Sequence, residues 1–254
     1  ILFAHIPGNS WTLWIPARFG FSDATEIFVF CSGLASALAF GTVFRDRGLG
    51  LGSARISFRV WQVYWAHIGL VLAVTALMAA FDASGIGPEG KVYMGSLPLI
   101  PWITQFPEAI IGLVTLTWVP NYFDILPMYL AILAMAPAVM LAQRIGGRWA
   151  AAALVLGVWG VAQTGALDLQ SRPWQDDLPW FFNPFGWQLV FFTGFGFGMG
   201  WIPAPPRSRA LAWLCAALLV ASLPLAWFKA FPYPHLTRLT SYPVLASASS
   251  PLLS

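Results

Sequence analysis

The stretch FSDATEIFVFCSGLASALAFGTVF, residues 21–44, decides the fold class of this chain. Between Glu26 and Arg45 it carries no charged side chain, and most of its residues are apolar or small. A helix that crosses a bilayer needs roughly 20 consecutive residues of this kind. The sequence therefore predicts a membrane-spanning helix over residues 23–44.

Similar apolar stretches recur along the chain. Of its 254 residues, 58% are hydrophobic and 9% are charged, whereas a soluble domain carries roughly a quarter charged residues. The further predicted spans are residues 58–81, 122–142, 147–164, 185–202 and 208–228. The predicted fold is an all-α, polytopic transmembrane helix bundle of about six full spans, in a single domain over residues 1–254. The apolar residues before His5 are expected to end a truncated first helix, and the low-complexity tail SASSP, residues 247–251, is expected to be a truncated or poorly ordered end. The domain is therefore expected to be incomplete at both ends.

Charge and cysteine content exclude several classes of function. The formal net charge of +3 is small and scattered along the chain, so nucleic acid is not an expected partner. Cys31 and Cys215 lie in separate apolar stretches without metal-ligand spacing. We therefore expect no disulfide and no metal site, and the lipid bilayer is the expected surrounding of the chain.

The arginines predict an orientation, because they fall in alternate connections and short cytoplasmic loops retain such residues. The arginines concerned are Arg45, Arg47, Arg55, Arg59, Arg144, Arg148, Arg207 and Arg209. The segments predicted to face outward are 6–22, 82–121, 165–184 and 229–254. The apolar stretch 109–118 could span instead and move the later arginines outside. Its short length, between Pro107 and Pro120, favours a re-entrant or interfacial segment.

Apart from Asp46, the acidic residues fall on the outward side or just inside it. His5 stands there too, where a helix is predicted to end. That position suits a general base, although an imidazole at a helix C-terminus can also simply cap it. Asp23 and Glu26 share a helix face and form a capping-box pattern. Capping is compatible with orienting His5, and Glu26, the deeper acid, is the better partner for a base.

Two further predicted spans begin with polar residues on the same side. The stretch NYFD, residues 121–124, places Asp124 in a first turn, where helix capping and substrate hydrogen bonding both remain open. The stretch PWFFNPFGWQ, residues 179–188, begins another span. Its aromatic residues are interfacial anchors or a platform on which sugar rings stack.

Small residues and one histidine stand out inside the predicted spans. Gly33, Ala37 and Gly41 recur at helical spacing, and glycines alternate over residues 194–200. Such spacing lets helix backbones approach each other, which is compatible with packing alone or with function. For His67, a hydrogen bond to a neighbouring helix is expected rather than a place along a donor channel.

Four blocks resemble the OpgC family, the succinyltransferases of osmoregulated periplasmic glucans, in sequence, order and spacing. The blocks are HIPGN (5–9), FSDATEIFVF (21–30) followed by Ser32-Gly33, NYFDILPMY (121–129) and PWFFNPFGWQ (179–188). The family is one of the membrane acyltransferases that share an Arg and His pair on the first helix. The resemblance implies that His5 is the catalytic base and that its partner Arg lies upstream of Ile1.

The resemblance also implies a donor, an acceptor and a location. The donor is succinyl-CoA or another acyl-CoA, the acceptor is a periplasmic glucan, and no metal is involved. The location is the bacterial inner membrane, with several spans and the active face toward the periplasm. The expected catalytic residues are His5, Glu26 and Asp23, and the expected substrate-binding residues are Asn9, Arg18, Tyr122, Asp124, Trp180, Asn183 and Gln188. The alternatives are an acyltransferase for another envelope polysaccharide, and a transporter or flippase of an acyl donor or anionic solute, which would need paired broken helices at mid-membrane.

Overall fold

The computed structural model describes residues 6, 9–15, 24–85, 92–96, 99–120, 122–172 and 176–226, and the regular secondary structure of this part is helical apart from one small hairpin. A 3₁₀ helix, Ser10–Leu13, precedes α1 Ala24–Ser84, α2 Tyr93–Ser96, α3 Pro101–Thr104, α4 Phe106–Thr115, α5 Ile125–Ala162, α6 Pro184–Gly198 and α7 Arg209–Ala226. Antiparallel strands β1, Gln170–Arg172, and β2, Asp176–Pro179, lie between α5 and α6. The all-α prediction is confirmed, and the hairpin is an addition that the sequence pattern does not predict.

Helix α1 folds back on itself at Gly48. This residue has a φ of 80°, a left-handed value that glycine adopts without a steric clash. A Cβ on Gly52 would meet the ring of Phe44, although eight residues of straight helix span about 12 Å. Helix α1 therefore has a first arm, 24–47, and a second arm, 49–84, that run in opposite directions.

Helix α5 turns in the same way at Gly146 and Gly147, where Gly147 has a φ of 67°. Its second arm, 148–162, returns along α6. Near one end of this contact Gln188 bonds to Val155, and at the other end Arg148 shares a cavity with Ile202. The residue numbers rise on one helix as they fall on the other, so the second arm is antiparallel to α6.

The prediction of six spans is wrong in its count. Among the described residues, two helices are long and apolar enough to cross a membrane by length and composition, namely α1 and α5. The first four predicted stretches pair up inside these two helices, because a glycine turn reverses the chain while helical hydrogen bonding continues around it. The last two correspond to α6, of 15 residues, and α7, of 18, which are shorter than roughly 20 residues. The stretches concerned are 23–44, 58–81, 122–142, 147–164, 185–202 and 208–228.

The first arm of α1 runs parallel to α6 and in close contact with it. A Cβ on Gly194 would overlap the backbone carbonyl of Phe30, and a Cβ on Gly198 would crowd the Cβ of Ala37. Residue numbers rise together along both helices, so both begin at the same end of the molecule. The small-residue spacing thus corresponds to a real helix crossing.

The first arm of α5, residues 125–145, is parallel to the same pair. Near its beginning, the hydroxyl of Tyr129 lies 3.5 Å from that of Ser36. Near its end, Arg144 lines one cavity together with Arg45 and Met199. The two first arms and α6 therefore begin together and finish together.

Helix α4 packs on the outside of this bundle. Its 10 residues are too few to cross a bilayer. Ala109 and Leu113 of α4 share a buried cluster with Ile68 and Val71 of the second arm of α1, and with Phe123 just before α5. This position agrees with the predicted short segment packed against the bundle. The shared cluster also shows that the second arm of α1 returns to the level where α5 begins.

Candidate active site

Three helices begin at one end of the molecule, which we call the start end: α1 at Ala24, α5 at Ile125 and α6 at Pro184. The unpaired N–H groups of helix N-termini and the helix dipoles make such an end electropositive. Glu26 lies in the first turn of α1, and Asp124 directly precedes α5. The polar helix starts identified in the sequence therefore lie at one end.

Three predicted site residues, His5, Arg18 and Asp23, lie outside the described residues. Helix α1 begins at Ala24, directly after Asp23, where the capping-box pattern predicts a helix start. Glu26 is half-buried. The roles of His5, Asp23 and Glu26 in catalysis stay predictions.

Asp124 is a buried carboxyl at the start end. It holds the N-cap position of α5, but its side chain makes no capping hydrogen bond, and the residue is 7% exposed. It stands just outside the candidate span, which begins at Ile125. Burial raises the pKa of Asp124 from 3.8 to about 6, against a smaller opposing effect of a backbone hydrogen bond. A carboxyl with a raised pKa and no capping bond favours a functional role over helix capping.

Tyr122, two residues earlier, has a left-handed backbone with a φ of 75°. A bulky residue in this region stores about 1–3 kcal/mol of strain, and such residues cluster at functional sites. Its side chain is 68% exposed. The segment 122–124 therefore combines a strained, exposed phenol with a buried acid, and no residue pattern in the sequence signals this strain.

Asp124→Asn is expected to raise the melting temperature at about pH 8 and to leave it unchanged at about pH 4. The folded protein holds the Asp124 proton more tightly than the unfolded chain, so this stabilisation is complete below about pH 4 and is lost as the pH rises through about 6. Above that pH the buried carboxylate costs on the order of 3 kcal/mol, from ~1.4 kcal/mol per pKa unit. Thermal unfolding of both proteins across this range is the measurement, and melting curves that shift in parallel with pH would contradict the expectation.

Both polar atoms of the Asn183 side chain make hydrogen bonds within the protein. Its Oδ1 accepts a hydrogen bond from the backbone N–H of Phe185 at 2.9 Å and so caps α6. Its Nδ2 donates to the carbonyl of Leu167 at 3.2 Å and to Oδ1 of Asp168 at 2.8 Å. Asn183 therefore fastens the loop after α5 to the beginning of α6.

Trp180, Gln188 and Asn9 also have partners inside the protein. The indole N–H of Trp180, which is 8% exposed, donates to the carbonyl of Gln170 at 3.1 Å. Gln188 is 1% exposed, and its Nε2 donates to the carbonyl of Val155 at 2.8 Å. Asn9 caps the 3₁₀ helix through its side chain. Their predicted contact with substrate stays a prediction, and the structure shows what each of them does for the fold.

His67 contradicts its expected bond to a neighbouring helix. The residue is 0% exposed, and neither ring nitrogen has a hydrogen-bond partner. A buried polar group left unpaired costs about 1–3 kcal/mol. An ionisable side chain within a candidate span is a functional candidate by default, but His67 lines neither the cavity at Arg148 nor the one at Arg144, so a place along a donor channel stays a prediction.

Comparison with known proteins points to one family. A family model described as OpgC protein matches residues 1–248. No curated protein and no solved structure matches the chain. The matched region contains the four sequence blocks and all of the candidate site residues. The chain therefore belongs to the OpgC family, and this membership implies an acyltransferase.

Proposed function

We propose that this protein is a multi-pass O-acyltransferase of the bacterial inner membrane. In this proposal it transfers a succinyl or related acyl group from acyl-CoA to hydroxyl groups of periplasmic glucans. The single observation that carries it is that three helices are parallel. Polar helix starts therefore lie at one end of the molecule, and Arg45 and Arg144 lie at the other. Arginines mark the cytoplasmic side of a membrane protein, so the start end faces the periplasm. The family match over residues 1–248 supports the reaction class.

The proposed reaction is acyl transfer by general-base catalysis at His5. The imidazole takes the proton of a glucan hydroxyl while the hydroxyl oxygen attacks the thioester carbonyl carbon. The C–S bond then breaks, and the leaving CoA thiolate takes the proton from the imidazolium, so that an ester and free CoA result. Glu26 or Asp23 holds the tautomer of the imidazole and stabilises its protonated form. Arg18 is the proposed partner of the second carboxylate of a succinyl group.

The acceptor glucan is proposed to bind at exposed aromatic side chains of the start end. Tyr122 and Phe181 are 68% and 62% exposed, and each stands three positions before the first residue of a helix. Both rings offer an apolar face on which a sugar ring can stack, and the hydroxyl of Tyr122 adds a polar group. Because Trp180, Asn183 and Gln188 have bonds within the protein, their part in the proposal is to hold the walls of the acceptor site.

The proposal is tested by comparing periplasmic glucans from cells with and without the full-length gene. We expect acyl-substituted glucans in the presence of the gene, their loss on deletion, and their return on complementation, all measured by mass spectrometry. Purified protein mixed with succinyl-CoA and unsubstituted glucan should yield the same ester. Glucan masses that do not change on deletion would overturn the acceptor assignment. Uptake of the donor or of an anionic solute into liposomes without any covalent product would favour a transporter instead.

A further inference from the structure

A second candidate site lies at the opposite end of the molecule. A cavity of about 460 Å³ opens where the two first arms and α6 finish. We name it the arginine cavity. Its polar lining comes from Arg45, Gln143 and Arg144, and apolar walls come from Phe44, Met199 and Trp201. A volume of this size is typical of sites for small molecules.

The arginine cavity is cationic. None of the described residues that line it is acidic. Asp46 follows Arg45 in the sequence but does not line the cavity, whereas Arg47 and Arg148 add positive charge at the same end of the molecule. In a chain with 9% charged residues, this concentration of one sign favours an anionic ligand.

Helix stabilisation alone does not explain the arrangement. Arg45 and Arg144 stand near the C-terminal ends of the two first arms, where a cation offsets the helix dipole. An arginine directed into water would supply that effect equally well. Here exposed arginines from two different helices, together with Gln143, border one shared space, so the positive charge of both helix ends lies beside the same cavity.

We infer that the arginine cavity binds the phosphate groups of a ligand that arrives from that side of the membrane. A guanidinium presents two parallel N–H donors that match a phosphate, and the side-chain amide of Gln143 supplies a further donor. Trp201 and Met199 contribute an apolar wall for the uncharged part of the ligand.

Two ligands carry this chemistry to that end of the protein. One is the diphosphate of coenzyme A in the acyl donor, and this source rests on the proposed function. The other is the headgroup of an anionic phospholipid, which basic pockets on the cytoplasmic side of membrane proteins bind. The second source does not depend on any acyl transfer.

The test is direct binding by the full-length protein carrying Arg45→Gln together with Arg144→Gln. The matched control is Arg55→Gln together with Arg209→Gln, which removes the same charge from exposed arginines that do not line the cavity. Coenzyme A binding is measured by titration calorimetry in a detergent without phospholipid. For phospholipid binding, the protein is released from nanodiscs of phosphatidylcholine, with or without phosphatidylglycerol. Native mass spectrometry then measures the phospholipid that stays bound to it. Melting temperatures confirm that every variant is folded.

The cavity variant is expected to lose at least about ten-fold in affinity, because each charge-assisted bond contributes roughly a factor of ten. The control variant is expected to bind as the wild type does. Weakened coenzyme A binding identifies the donor as the ligand, and loss of bound phosphatidylglycerol alone identifies the lipid. Replacement of both arginines by lysine, which retains the charge without the forked donors, should give an intermediate loss. Unchanged binding of both ligands by the cavity variant would overturn the inference. None of these outcomes depends on turnover, so the inference is tested independently of the transfer assay.

Discussion

Gly33→Ala is expected to destabilise the protein by at least about 3 kcal/mol. A Cβ at this position would overlap the backbone carbonyl oxygen of Phe191 and crowd its carbonyl carbon. A backbone group cannot rotate aside as a flexible side chain can, so α6 would have to move away from α1. For a chain of this size such a loss lowers the melting temperature by roughly 10 °C. Thermal unfolding in detergent, followed by circular dichroism, is the measurement.

Gly69→Ala is the matched control in the same helix. Nothing lies within 4 Å of a Cβ at Gly69, and alanine is favoured over glycine inside a helix by roughly 0.5–1 kcal/mol. This variant should therefore melt at or slightly above the wild-type temperature. Gly194→Ala should repeat the Gly33 effect, because its Cβ would overlap the carbonyl of Phe30 from the other side of the same crossing. Equal melting of Gly33→Ala and Gly69→Ala would show that this crossing is not formed.

The same crossing shows how far the sequence predicts the fold. Apolar length predicts a helix over residues 23–44, and α1 begins at Ala24. The predicted span ends at residue 44, yet the helix continues through Arg47 and only Gly48 leaves helical geometry. One left-handed glycine is enough to reverse the chain. Whether the residues on either side stay helical depends on packing between arms, which local composition does not contain.

The site shows a similar division. Polar residues at helix starts can be read from the sequence, and parallel helices then bring Glu26 and Asp124 to one end. The burial of Asp124 cannot be read in this way, because it comes from packing of elements distant in the sequence. Asn183 is predicted from the sequence to bind substrate, whereas its cap of α6 and its bond to Asp168 depend on packing and on a loop whose path the sequence does not reveal. The residue pattern therefore predicts which polar residues lie toward one side of the bundle, but not which of them the fold already uses.

His5→Ala is expected to lower the rate of acyl transfer by about 10²–10⁴-fold, the range that a positioned general base contributes. Without the imidazole, the glucan hydroxyl has no acceptor for its proton as it attacks the thioester. This interaction exists only in the transition state, so kcat should fall while KM for the acyl donor stays near its wild-type value. Initial rates of succinyl incorporation into glucan by the purified full-length protein are the measurement.

The matched control is His235→Ala, because His235 lies in the predicted outward segment 229–254 and no role is predicted for it. It should transfer at the wild-type rate, and equal melting temperatures would exclude a loss of fold as the cause of any difference. Coenzyme A binding by His5→Ala should also be unchanged, because His5 is proposed to act at the start end and the arginine cavity lies at the other. Near-normal transfer by His5→Ala would overturn the assignment of His5 as the base, but it would not affect the inference about the arginine cavity. A loss of both transfer and binding would mean that His5 supports the fold, because a base that acts only in the transition state leaves the affinity for the donor unchanged.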